Sequence, residues 1–114
     1  MSDCLFCRIA AGEIPARKIH DDADFVAFED INPQAPVHVL IIPRRHLAGV
    51  NDLAADDRTM VGGAFTLARK IAHERGLGER GYRVVVNSGP DAGQTVFHIH
   101  FHLLGGRALA WPPG

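Results

Sequence analysis

The stretch FHIHFHLL, residues 97–104, sets histidine at every second position and an apolar residue in each gap. Successive side chains of a strand point to opposite faces, so His98, His100 and His102 share one side while Phe97, Ile99, Phe101 and Leu103 share the other. The spacing predicts a strand over residues 97–104 with one apolar and one imidazole face. Sheet packing gives no reason for imidazole three times over. A purification tag is contiguous and terminal, whereas this run is interleaved and internal. One metal cannot be held by all three rings: at about 3.3 Å per residue the outer two Cα atoms lie about 13 Å apart, against metal–nitrogen bonds of about 2.0 to 2.1 Å. Two of the rings could share a metal, leaving the third for other work. Acid–base or nucleophilic chemistry suits imidazole near neutral pH, and neighbouring rings that would repel when protonated lower one another's pKa.

The rest of the chain bounds the setting. Its 114 residues, 46% hydrophobic and 22% charged, suffice for one domain, here residues 1–114, with a modest core. A formal net charge of -1 argues against nucleic acid as a partner, and Arg44-Arg45 is too short a basic run to reverse that. The apolar run at 37–43 is far shorter than the roughly 18 residues of a membrane span, and no cleavable leader is recognisable, so a cytoplasmic protein away from membranes is expected. Cys4 and Cys7 are the only cysteines, spaced C-x-x-C. They sit at the N-terminus without a preceding strand, unlike a thioredoxin-type redox motif, and could form half of a zinc site completed by histidines.

Periodicity predicts a short helix over 4–11, ended by Gly12, and strands over 17–21, 24–30, 37–43 and 81–87. The segment 56–75 places Met60, Val61, Ala64, Phe65, Ala68, Ile71 and Ala72 at helical spacing, with Gly76 as a stop. Within it Gly62-Gly63 costs helix stability and suggests close packing against another backbone. The expected fold is α+β: an antiparallel sheet of about five strands, one long helix and a short N-terminal helix. The loop SGPDAGQTV, residues 88–96, is longer than most hairpin connections. Its glycines would let backbone N–H groups approach a ligand, and Gln94 and Thr95 add donors suited to phosphate oxygens, although it lacks the ending of a Walker loop.

With that loop directly ahead of HIHFHLL, the sequence resembles the histidine triad superfamily. FEDINPQAPVHVLIIPRRH at 28–46, GYRVVVNSGPDAGQTVFHIHFHLLGGR at 81–107 and the terminal WPPG extend the likeness and point to its Hint branch. The resemblance implies a nucleoside phosphoramidate hydrolase. His100 would be the nucleophile that carries a transient nucleotidyl group, His102 would support the phosphate, and the His98 carbonyl would orient the nucleophile. Asn87, Gly93, Gln94 and Thr95 match phosphate-binding positions, with the Thr95 hydroxyl beside the leaving amine. Asp30 matches the acid at the ribose and Ile31 a base-pocket residue, though plain core packing would serve Ile31 equally well. Trp111 matches a residue that reaches a partner's site, which implies a homodimer acting on a purine nucleotide. His46 aligns with a site histidine of the family, whereas His38 reads as structural, and His20 and His73 as surface residues. The likeness also implies structural zinc on Cys4, Cys7, His46 and His98, the test being whether the N-terminal helix folds back beside the triad. Two other readings remain, a dinucleoside polyphosphate hydrolase and a non-catalytic nucleotide-binding scaffold.

Overall fold

A computed structural model describes residues 3–114. In chain order it contains α1 (Leu5–Ala10), β1 (Lys18–Asp21), β2 (Phe25–Glu29), β3 (Val37–Pro43), α2 (Arg58–Glu74), β4 (Tyr82–Val85) and β5 (Phe101–Gly105), with three short 3-10 turns in the connections. The strands form one antiparallel sheet in the order β1-β2-β3-β5-β4. This is the expected α+β architecture with five strands, one long helix and a short N-terminal helix.

The central strands explain why FVAF and VLII show no polar alternation: both faces are covered. Phe25, Ala27, Val39, Ile41, Phe101 and Leu103 pack under α2, meeting Ala64, Leu67, Ala68, Ile71 and Ala72. On the opposite face Val26, Phe28, Leu40 and Ile42 meet Phe6, Ile9 and Ala10 of α1. The helix therefore turns Leu67 inward, and leaves Phe65, expected in its apolar stripe, half exposed with its ring edge-on to Phe101.

The histidine strand is shorter than the alternation suggests. Ile41 pairs with Phe101, so the register would continue through Ile42 and His100 to Pro43 and Ile99. Proline has no N–H to give the ladder, which stops there. Ile99 instead donates to the Leu47 carbonyl at 2.7 Å, and residues 97–100 run irregularly into β5. The alternation of faces survives the loss of the ladder. Ile99, Phe101 and Leu103 are buried in the α2 core, while His98 and His100 are buried on the α1 side and His102 lies opposite Leu40 on that same face. Phe97, expected in the apolar layer, is exposed because it lies before the point where the chain enters the sheet.

The two helix glycines differ. A Cβ on Gly63 would lie 3.1 Å from the Phe25 ring, so the close approach is to a core side chain and not to backbone; a Cβ on Gly62 would meet nothing. Gly62→Ala should raise unfolding stability by up to about 1 kcal/mol through helix propensity. Gly63→Leu should lower it by about 1 to 3 kcal/mol through overpacking against Phe25. Urea titration of both variants beside the parent checks the contrast.

Candidate active site and metal centre

The imidazole of His100 is held by its own chain. Its Nδ1–H donates to the His98 carbonyl at 2.7 Å, which leaves the Nε2 lone pair as the reactive position. Phe6 stands edge-on to the ring, with centroids 5.0 Å apart. Burial is the main reason the His100 pKa is pushed down; the bond to the His98 carbonyl and the charge of Asp30 oppose it. A ring kept neutral keeps that lone pair available.

Beside it lies a second set, Asp30, His38 and His102. His38 Nδ1 accepts the Gln34 backbone N–H at 3.0 Å, so the single proton of its neutral ring sits on Nε2. His38 Nε2 lies 2.9 Å from His102 Nδ1 and donates to it. His102 must then carry its own proton on Nε2, where it can serve as a donor. Burial pushes the His102 pKa down to about 4, with the charges of His100 and His38 adding to it and Asp30 opposing. The His38 pKa is also lowered, by burial, against the pull of Asp30, whose Oδ2 is 3.4 Å from His38 Nε2.

This arrangement corrects one expectation. His38, read as structural, is 5% exposed and bonded to His102, so it stands with the candidate site, whereas His46 lies in the cysteine cluster described below, where the zinc expectation put it. Sequence alone offered no warning, because the contact depends on the register that sets Leu40 opposite His102 and makes His38 its diagonal neighbour.

The rings of His100 and His102 line a cavity of about 410 Å³. Its wall is apolar, from Leu5, Phe6, Ile9, Phe28 and Leu40 among others, and Asp30, Ile31 and Thr95 stand on it. Ile31 is fully exposed at the rim, which excludes the core-packing reading. Gln94 differs from expectation. Its carboxamide is buried, with Nε2 donating to the Ala48 and Val96 carbonyls and Oε1 accepting the Gly89 N–H, so its side-chain donors are spent on closing the loop. Gly93, at φ 82°, adopts the left-handed conformation that the same loop closure requires. Asn87 is half-buried after the end of β4, and Trp111 is 81% exposed and does not line its own chain's cavity. His20 pairs with Asp22 and His73 is exposed, as surface residues should be.

The N-terminal helix does fold back beside the triad. Cys4 Sγ lies 3.4 Å from His98 Nδ1, Cys7 Sγ lies 3.4 Å from the same atom and 3.3 Å from His46 Nδ1, and the two Nδ1 atoms are 3.2 Å apart. Ligands at 2.0 to 2.3 Å from a tetrahedral zinc ion lie about 3.3 to 3.8 Å from one another. The donor chemistry agrees: His98 Nε2–H donates to the Pro43 carbonyl at 2.7 Å, leaving Nδ1 as a lone pair aimed at the thiols. The cluster fits a zinc ion held by Cys4, Cys7, His46 and His98.

Asp30, His38 and His102 also offer three ligand atoms within 4.8 Å of one another, but they do not fit. With the Gln34 N–H on His38 Nδ1, a metal on Nε2 would require the ring to lose its last proton. No such conflict exists at the cysteine cluster.

The sequence pattern of the HIT domain matches residues 11–109. A 14 kDa zinc-binding protein of Zea mays is 47% identical over 99% of this chain and 89% of its own length. A HIT family hydrolase from Legionella pneumophila superimposes with a TM-score of 0.97 at 52% identity, covering 98% of this chain and all of the other. A histidine triad nucleotide-binding protein from Candida albicans does so at 0.82 and 35% identity, covering 96% and 83%.

Purified chain equilibrated with zinc should retain one equivalent and not two after gel filtration. Cys7→Ser should lose most of it, while Asp30→Asn should keep it, as read by atomic absorption. Stripping the metal with a chelator should lower the thermal midpoint, since ion binding to the folded site adds to stability.

Proposed function

The chain belongs to the HIT domain family, as a HIT hydrolase or nucleotide-binding protein, and from that premise we propose that it is a Hint-branch hydrolase of nucleoside 5′-phosphoramidates. The observation that carries this is the His100 ring, neutral through burial, with its Nδ1–H committed to the His98 carbonyl and its Nε2 at the cavity.

The apolar wall takes the purine and the Asp30 carboxylate takes the ribose hydroxyls. His100 Nε2 attacks phosphorus, forming a P–N bond to the imidazole as the bond to the amine breaks. The amine leaves with a proton, assisted by the Thr95 hydroxyl. Water then attacks phosphorus, releasing the nucleoside monophosphate and restoring the ring. Splitting one difficult displacement into two easier ones is what covalent catalysis achieves. His102 Nε2–H supports the phosphoryl oxygens, and His38 acts as a positioning residue that holds it in that tautomer. Phosphate contacts come from Asn87 and from Thr95 at the end of the loop, the N–H groups of Gly89, Gly93 and Gln94 and the Gln94 side chain being occupied in closing it. Zinc, with four protein ligands and no open position, would supply rigidity to this site and no Lewis acid to the substrate.

A homodimer completes the reading. Among the described residues β4 pairs on one side only, with β5, which leaves a sheet edge open to a second copy. Trp111, 81% exposed and outside the lining of its own chain's cavity, would complete the partner's site in such a dimer. Sedimentation equilibrium should return twice the chain mass; a monomer would remove Trp111 from the site.

The decisive assay is AMP release from adenosine 5′-phosphoramidate. Turnover should fall to background in His100→Ala. His38→Phe should keep AMP binding but lose about 10- to 100-fold in kcat, the range expected when a group orienting a working side chain is removed. Turnover of diadenosine polyphosphates in place of the phosphoramidate would overturn the assignment. Nucleotide binding without turnover in the parent would move the chain to the scaffold class.

A further inference from the structure

Three of the four candidate zinc ligands belong to segments that also line the nucleotide cavity, and the fourth, His46, begins a segment that braces them. Cys4 and Cys7 bracket Leu5 and Phe6, both in the cavity wall, and Ile9 follows one turn later. The helix that carries them has six residues, whereas helices shorter than about 12 residues are marginal unless something external holds them. Phe6 touches both centres. Its ring is edge-on to the ligand His98, with centroids 6.1 Å apart, and to the nucleophile His100 at 5.0 Å. His98 offers Nδ1 to the cysteine cluster and its carbonyl to His100 Nδ1. His46 opens a segment whose next two carbonyls both lead to the substrate side. Leu47 accepts the Ile99 N–H at 2.7 Å, and Ala48 accepts Gln94 Nε2 at 2.7 Å, the side chain that closes the loop bearing Thr95.

We propose that the zinc centre and the nucleotide cavity are one thermodynamically coupled unit, with Phe6 as the positioning residue between them, so that each ligand raises the chain's affinity for the other. The inference rests on the nucleotide reading above and adds a regulatory property to that site. Zinc orders α1, the His98 backbone and the 46–49 segment, so a nucleotide arriving afterwards has less ordering to impose. Linkage makes the effect reciprocal: a nucleotide resting against Phe6 and His100 holds the ligand atoms together and slows loss of the metal. Zinc would then act as a determinant of nucleotide affinity through the cavity wall, without touching the substrate.

The test titrates zinc-loaded chain with a chromophoric chelator, with and without saturating AMP, alongside equilibrium dialysis of AMP. AMP should lower the zinc dissociation constant by about 5-fold or more, the usual scale of coupling between sites. Phe6→Leu should still bind one zinc but lose most of that shift. An unchanged zinc dissociation constant in chain shown by dialysis to hold AMP would overturn the coupling and leave the nucleotide reading intact. A full shift retained in Phe6→Leu would overturn the role of Phe6. Absence of AMP binding to zinc-loaded chain would sink the nucleotide reading and the coupling together. The parent titration decides the coupling without the variant, so a poorly folding variant would not leave the question open.

Discussion

A neutral imidazole has one proton and two nitrogens, and at four rings of this chain a backbone group or a neighbouring ring decides which nitrogen carries it. The Pro43 carbonyl holds the proton of His98 on Nε2, leaving Nδ1 as a lone pair among the thiols. The His98 carbonyl holds that of His100 on Nδ1, leaving Nε2 at the cavity. The Gln34 N–H occupies Nδ1 of His38, which passes the constraint to His102. One residue type thus offers a lone pair to the cysteine cluster, a lone pair to the cavity and a hydrogen-bond donor beside it within a few residues, through hydrogen bonds and without any change of side chain. Burial keeps all four rings neutral by penalising their charged forms, so the protons stay where these bonds put them.

The sheet makes this possible by keeping its two faces separate. One face is an apolar core under α2 that asks nothing of the polar residues. The other is only partly covered, because α1 is short and packs over the β2 and β3 side; the remaining surface becomes a cavity with apolar walls and imidazole at its edge. The end of the ladder at Pro43 matters here. With pairing to β3 over, residues 97–100 are released from the ladder, so that the His98 ring reaches the Pro43 carbonyl at the end of β3 and its own carbonyl takes the His100 ring.

Local pattern was a reliable guide where a side chain's role depends on its own neighbours in sequence. The period-2 run correctly set Ile99, Phe101 and Leu103 against His98, His100 and His102, and the C-x-x-C pair does come together with His46 and His98, their ligand atoms within 4.8 Å of one another. It failed where partners come from elsewhere in the chain. Phe65 and Leu67 sit at opposite margins of the buried stripe, and the sequence chose Phe65 where the sheet covers Leu67 and leaves Phe65 half exposed against the edge of Phe101. Gln94 looked like a phosphate donor because its type suits that task, yet three backbone groups take up its carboxamide.

Fold class, the two-faced histidine run and the chemistry open to it follow from periodicity and residue type, since steric alternation and ligand preference are properties of the chain before it folds. The separation of His38 from His46 follows from neither. Both are single histidines flanking the same apolar strand, and their identities differ only because β3 registers Leu40 against His102 while the chain beyond Pro43 turns back to the cysteines. Register and the placement of protons are long-range quantities, set when backbone groups far apart in sequence meet, and that meeting exists only in the tertiary structure.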